Sequence, residues 1–181
     1  IPPQWDGALA AQNLEKFVTA DYAFWGFLPF RKYVFLNVFR QGGGGLEHLN
    51  STLLTSSPKS TGGGDMRWLQ YVSHEYFHAF NVKRLRPIQL GPFDYEHPPT
   101  TPSLWISEGL TTYYGNLMVS RGGLGTQQDV LNSLSKAITS VQTSPGRHVQ
   151  TLEQASLDIF STGGSGEGGD VHDRRSLLLA G

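Results

Sequence analysis

The chain has 181 residues, of which 38% are hydrophobic and 16% are charged, as is typical of a folded domain rather than a disordered segment. Its formal net charge of −1 gives no electrostatic reason to expect nucleic acid or an anionic membrane as a partner. The absence of cysteine excludes disulfides and leaves the cellular compartment open, and no apolar run is long enough to span a bilayer.

The N-terminal part of the chain predicts one helix and two strands. Residues 6–26 place apolar side chains at helical spacing behind Asp6, a candidate N-cap. Residues 32–40 are rich in β-branched and aromatic residues and predict a buried strand. Glycines 42–45 then interrupt the chain before "LEHLNSTLLTSS", which predicts a second strand.

The rest of the chain predicts helices separated by loops. A helix is expected over 66–82, followed by a long loop over 87–102, where five prolines occur. Ser103 is a candidate N-cap for a helix over "LWISEGLTTYYGNLMVSR", and shorter helical patterns follow at 126–142 and 151–160. The helix predicted over 66–82 has an apolar stripe that comprises Trp68, Leu69, Val72, Tyr76, Ala79 and Phe80.

These elements predict one α+β domain over 1–181, mainly helical with a small N-terminal sheet. We divide it into a helix and edge-strand part at 1–65 and a helical part at 66–181. The chain begins at "IPPQW" without methionine and ends in an apolar run, so we expect it to be a fragment of a longer protein.

The sequence "HEYFH" at 74–78 is the strongest chemical signal in the chain. Residues four apart share one face of a helix, so His74 and His78 can both direct an imidazole at one ion. Glu75 lies about 100° further round the helix, where it can accept a proton from a metal-bound water. Imidazole and carboxylate ligands suit zinc, although cobalt or manganese could occupy the same ligands.

A chance pattern on an amphipathic helix is the alternative interpretation of "HEYFH". Two neighbouring features favour the metal site. The histidines lie off the apolar stripe, so core packing does not explain them. Glu108, in "WISEGLTTYY" on the next long helix, could complete a two-histidine, one-glutamate site.

Longer motifs give a specific resemblance. "HEYFHAFNVKRLRP", "LWISEGLTTYYGNLMVSRGGL" and the upstream "GGLEH" occur in the order and spacing of the glycyl aminopeptidase family. That family consists of zinc metallopeptidases of the gluzincin group, with a thermolysin-like fold. The resemblance implies zinc ligands at His74, His78 and Glu108, with Glu75 as general base. It also implies a β domain before this region in the parent protein and, as is common in the family, a PDZ domain after it.

The same resemblance implies a substrate site at "GGLEH", formed by Gly45, Glu47 and His48. In related aminopeptidases a glutamate at this position binds the free α-amine of the substrate, beside an edge strand that pairs with the substrate backbone. An ammonium paired with Glu47 would fix the first peptide bond over the metal. The alternative is a glycine hairpin in which Glu47 and His48 are solvated.

The chain departs from the family pattern at "DVHDRRSLLLAG". His172 stands where relatives commonly carry a tyrosine that stabilises the oxyanion. Three interpretations stay open: His172 donates the hydrogen bond instead, the donor has been lost, or the correspondence slips across the glycine-rich loop.

We therefore expect zinc-dependent hydrolysis of peptides with a free N-terminus, releasing small residues such as glycine or alanine. One alternative is an endopeptidase with the same zinc chemistry, in which Glu47 has no role. The other is a degenerate peptidase domain that acts as a peptide-binding or scaffold module.

Overall fold

The computed structural model describes residues 1–59, 63–92, 94, 96–97 and 99–159. The described helices are α1 (Gly7–Trp25), α2 (Met66–Phe77), α3 (Leu104–Arg121), α4 (Gln127–Thr143) and α5 (Leu152–Asp158). The strands are β1 (Val34–Phe39), β2 (Gly45–Glu47) and β3 (Ser51–Ser56). Short 3-10 turns occupy Ile88–Leu90 and Pro145–His148. The predicted α+β class, mainly helical with a small sheet, is confirmed.

Most predicted elements occur close to where the sequence placed them. The side chain of Asp6 accepts a hydrogen bond from the backbone N–H of Leu9 and so caps α1. The predicted strand "LEHLNSTLLTSS" is instead two strands, β2 and β3, because the chain reverses between Glu47 and Ser51. No glycine or proline marks this reversal in the sequence.

The helix predicted over 66–82 ends at Phe77, five residues early. Apolar residues continue at helical spacing beyond Phe77, but the backbone leaves the helical path and forms a turn. The N–H of Lys83 donates to the carbonyl of His78 over 3.0 Å, and Val82 takes a φ of 122°. A β-branched residue disfavours that left-handed region, so the turn after α2 is strained and is maintained by its surroundings.

The three described strands form a sheet in the order β1-β3-β2. β1 runs parallel to β3, with Leu36 opposite Leu53, and β2 runs antiparallel to β3, with Leu46 also opposite Leu53. β2 is therefore an edge strand of the described sheet, as the sequence analysis expected for the segment after Gly45. The three leucines share one face of the sheet, so Gly45 and Glu47 belong to the opposite face.

An aromatic core surrounds α2. The ring of Tyr76 is fully buried and contacts the rings of five residues: Phe17, Phe30, Tyr33, Phe35 and Phe80. All six residues of the predicted apolar stripe are buried. Edge-on and tilted ring pairs of this kind contribute beyond the area that they bury.

The chain divides into two compact units. The first comprises Ile1–Arg84 and Tyr114–Val130, and it contains the sheet, α1 and α2. The second comprises the described residues of Leu85–Tyr113 and of 131–159. Within the second unit, the hydroxyl of Ser156 accepts the backbone N–H of Trp105 over 3.1 Å. Among the described residues, no helix is long and apolar enough to cross a membrane.

Candidate metal centre

The two histidines of "HEYFH" are arranged as a pair of metal ligands. Their Nε2 atoms lie 3.0 Å apart. The Nδ1 of His78 lies 3.0 Å from the carbonyl oxygen of Asn81, and because a carbonyl can only accept, that nitrogen carries the proton. The Nε2 of neutral His78 therefore keeps its lone pair for an ion, and its ring orientation is fixed by the turn after α2.

Glu108 completes a group of three possible ligands. Its carboxylate and the ring nitrogens of His74 and His78 each offer a ligand atom, and these atoms all lie within 4.8 Å of one another. Two nitrogens bound to a tetrahedral zinc at about 2.0–2.1 Å would lie roughly 3.3 Å apart, close to the separation found here. The donor set of two imidazoles and one carboxylate therefore fits zinc and leaves a fourth position for water.

Helices α2 and α3 approach each other closely at Gly115. The hydroxyl of Ser73 donates to the carbonyl of Gly115 over 2.9 Å. A Cβ on Gly115 would lie 3.1 Å from both Cα and N of His74, so only glycine allows this contact without displacement. Glu108 lies seven residues before Gly115, two helical turns along the same face of α3.

Glu75 lies beside the ligand pair and against the edge strand. Its side chain is on α2, the residue is only 7% exposed, and a Cβ built on Gly45 would fall on its carboxylate. Gly45 therefore leaves the space that the Glu75 carboxylate occupies. This contact joins two residues that the sequence analysis assigned to different roles, proton transfer and substrate binding.

Glu47 is half-buried and forms an ion pair that the sequence analysis missed. Its Oε1 lies 3.2 Å from the Nζ of Lys83, and both side chains are mostly shielded from solvent. The next residue, Arg84, donates to the carbonyls of Leu49, Ala79 and Pro29. Burial lowers the pKa of Arg84, and these three hydrogen bonds give its side chain a structural role.

Tyr71 is a second residue that the sequence analysis overlooked. Its hydroxyl accepts the backbone N–H of Thr55 over 3.1 Å. Burial raises the pKa of Tyr71 to about 12, and the negative charge of Glu75 adds to that shift. Its position one turn before Glu75 on the same helix was the available signal.

The remaining predicted residues are not brought to this group. The side chain of His48 is exposed, and its backbone N–H pairs with the carbonyl of Ser51 over 2.7 Å. His172 lies outside the described residues, so its proposed role as an oxyanion donor stays a prediction.

Comparisons with known proteins identify the family of this chain. Residues 67–175, more than half of the chain, match the family model of the M61 glycyl aminopeptidases. The chain belongs to this family. It is also similar to the crystal structure of an aminopeptidase N family protein from Idiomarina loihiensis, with 27% sequence identity and a TM-score of 0.79. That match covers 87% of this chain and 29% of the solved one, and no curated protein matches.

Proposed function

We propose that this chain is the catalytic part of a zinc-dependent aminopeptidase that releases small N-terminal residues such as glycine or alanine. The observation that carries the proposal is the grouping of His74, His78 and Glu108, with the Glu75 carboxylate beside an edge strand. Membership in a peptidase family and the similar aminopeptidase structure support the reaction class.

Each residue of the centre has a chemical task in this proposal. His74, His78 and Glu108 would hold the zinc, which when bound acts as a Lewis acid and lowers the pKa of a coordinated water to about 7. The Glu75 carboxylate would accept a proton from the attacking water and return it to the leaving amine. The Asn81 carbonyl keeps the proton of His78 on Nδ1 throughout.

The edge strand β2 supplies the substrate site. The carbonyl of Gly44 and the N–H of His48 are both bonded to β3. In an antiparallel ladder alternate residues point to opposite edges, so the peptide groups of Gly45 and Glu47 point away from β3. A substrate can add there as a further strand, with its ammonium at the Glu47 carboxylate and its first carbonyl near Glu75.

The ion pair between Lys83 and Glu47 favours a second candidate, an endopeptidase of the same fold. Glu47 already has a cationic partner, so a substrate ammonium would have to share the carboxylate with Lys83. If Glu47 serves only to hold the edge strand, N-terminally blocked peptides would be cleaved as well as free ones.

The decisive experiment compares glycyl and alanyl peptides with free and acetylated N-termini, in the full-length protein with measured zinc content. We expect cleavage of the free peptides only, and a loss of about 10²–10⁴-fold in the Glu75→Gln variant. Glu47→Gln should remove the preference for free ends. Equal cleavage of both peptide sets would establish the endopeptidase, and bound zinc without any cleavage would indicate a peptide-binding module.

A further inference from the structure

A cleft of about 330 Å³ lies beside the start of α2 and the end of β3. Its volume falls within the usual range of small-ligand sites. The lining residues that bear on its chemistry are Thr55, Lys59, Asp65, Arg67, Trp68 and Tyr71. The residues proposed as metal ligands and general base are not among them, so the cleft is a separate feature.

Helix geometry relates this cleft to the metal ligands. Arg67, Tyr71, His74 and His78 follow one another at intervals of three or four residues, so they share one face of α2. Arg67 lies roughly 10 Å before His74 along the helix axis at 1.5 Å per residue. An extended peptide spans that length with about three residues.

The edge strand gives the direction in which a substrate would reach the cleft. This step rests on the proposed function, in which the substrate ammonium lies at Glu47 and the scissile carbonyl near Gly45 and Glu75. The substrate then runs antiparallel to β2 and continues past Gly44. The N–H of Thr55 bonds both the Gly44 carbonyl, over 3.2 Å, and the Tyr71 hydroxyl, over 3.1 Å. The Tyr71 end of the cleft is therefore adjacent to the start of β2, the point at which the leaving part of the peptide passes that strand.

The far end of the cleft is positively charged. Lys59 and Arg67 are both exposed there, whereas Asp65 uses its carboxylate to cap α2 by accepting the N–H of Arg67 over 3.1 Å. This end of the cleft thus carries two cationic side chains, Lys59 and Arg67, and one carboxylate, Asp65, which is already bonded to the backbone of α2. At the near end, the Tyr71 hydroxyl accepts from Thr55 and keeps its own proton to donate to a substrate carbonyl.

We propose that this cleft binds the leaving portion of the substrate and recognises its free C-terminal carboxylate through Arg67 and Lys59. The favoured substrates are then short peptides, with two or three residues after the scissile bond and both ends free. A carboxylate on an arginine fork and a nearby ammonium forms charge-assisted hydrogen bonds that an amide cannot match.

The test compares Gly-Ala-Ala-Ala ending in a carboxylate with the same peptide ending in an amide. In the native protein we expect kcat/KM to be about tenfold higher for the carboxylate, as two solvent-exposed ion pairs would provide. The double variant Arg67→Gln with Lys59→Gln should bring the ratio close to one. The matched control, Lys16→Gln with Arg121→Gln, removes the same charge from a separate cavity beside α1 and should leave the ratio unchanged.

A binding measurement tests this inference independently of the proposed catalytic function. Calorimetry with the Glu75→Gln variant measures the affinity of both peptides without turnover. Tighter binding of the carboxylate, lost in the double variant, supports the inference even if no peptide is cleaved. Equal affinity for both peptides overturns it, even if the protein proves to be an active aminopeptidase. An equal fall in the control would mean that net charge, not this cleft, sets the preference.

Discussion

The two sides of helix α2 are held in place by different kinds of interaction. On the core side, Trp68, Val72 and Tyr76 are at most 4% exposed and are packed among apolar groups. On the site side, directional contacts dominate, such as those of His78 with Asn81 and of Tyr71 with Thr55. Packing is non-directional and spread over many neighbours, whereas each directional contact has one partner. Changes on the core side should therefore reduce stability, and changes on the site side should reduce activity.

The largest effect is expected on the core side, from Tyr76→Ala. The ring contacts five aromatic neighbours, so its removal leaves a cavity that the rigid rings around it cannot fill. We expect the free energy of unfolding to fall by about 3–5 kcal/mol, measured by denaturant titration.

Tyr76→Phe is the matched control for that change. The Tyr76 hydroxyl is buried and has no hydrogen-bond partner among the described residues. Its removal should leave stability unchanged or raise it by up to about 1 kcal/mol. A loss in Tyr76→Phe as large as that in Tyr76→Ala would show that a polar contact, not packing, holds this side of the helix.

A smaller effect, of the opposite kind, is expected from Gly45→Ala on the site side. The new methyl group would occupy the position of the Glu75 carboxylate, which is the end of a flexible side chain and can move at little cost in stability. Misplacing the general base by about 1 Å can reduce the rate roughly 100-fold. We expect kcat to fall by that order while the thermal midpoint changes little.

Gly44→Ala provides the comparison for this variant. A Cβ on Gly44 would meet nothing within 4 Å, but its φ of 105° makes alanine strained there. That variant should lose stability and retain kcat. Loss of stability without loss of kcat in Gly45→Ala would contradict the assigned contact with Glu75.

The sequence predicted those parts of the molecule that depend on local periodicity. The bounds of α3, the N-cap at Asp6 and the apolar stripe of α2 follow from spacing that a single segment carries. The reversal between β2 and β3 was missed because no glycine or proline marks it.

The parts of the candidate site that join distant segments could not be predicted from spacing. The pair of Glu47 with Lys83 joins residues 36 positions apart, and Gly45 meets Glu75 across 30 positions. These contacts depend on the antiparallel pairing of β2 with β3 and on the strained turn at Val82. Neither feature has a local signature, because tertiary packing decides both.

The smallest of the three effects concerns a buried carboxyl that borders the core side. Asp21 is fully buried, neither of its oxygens has a hydrogen-bond partner among the described residues, and burial raises its pKa to about 8. The folded chain therefore keeps a proton here that the unfolded chain releases near pH 4. Between these two pH values the folded state holds more protons, so this group makes stability fall as the pH rises.

In the variant Asp21→Asn this pH-dependent contribution to stability is absent. We expect the variant to be more stable than the native chain by about 2 kcal/mol at pH 8 and nearly equal at pH 4, as measured by thermal unfolding across this range. If the stability difference between the variant and the native chain is the same at all pH values, then Asp21 does not titrate in this range and its carboxyl forms a polar contact.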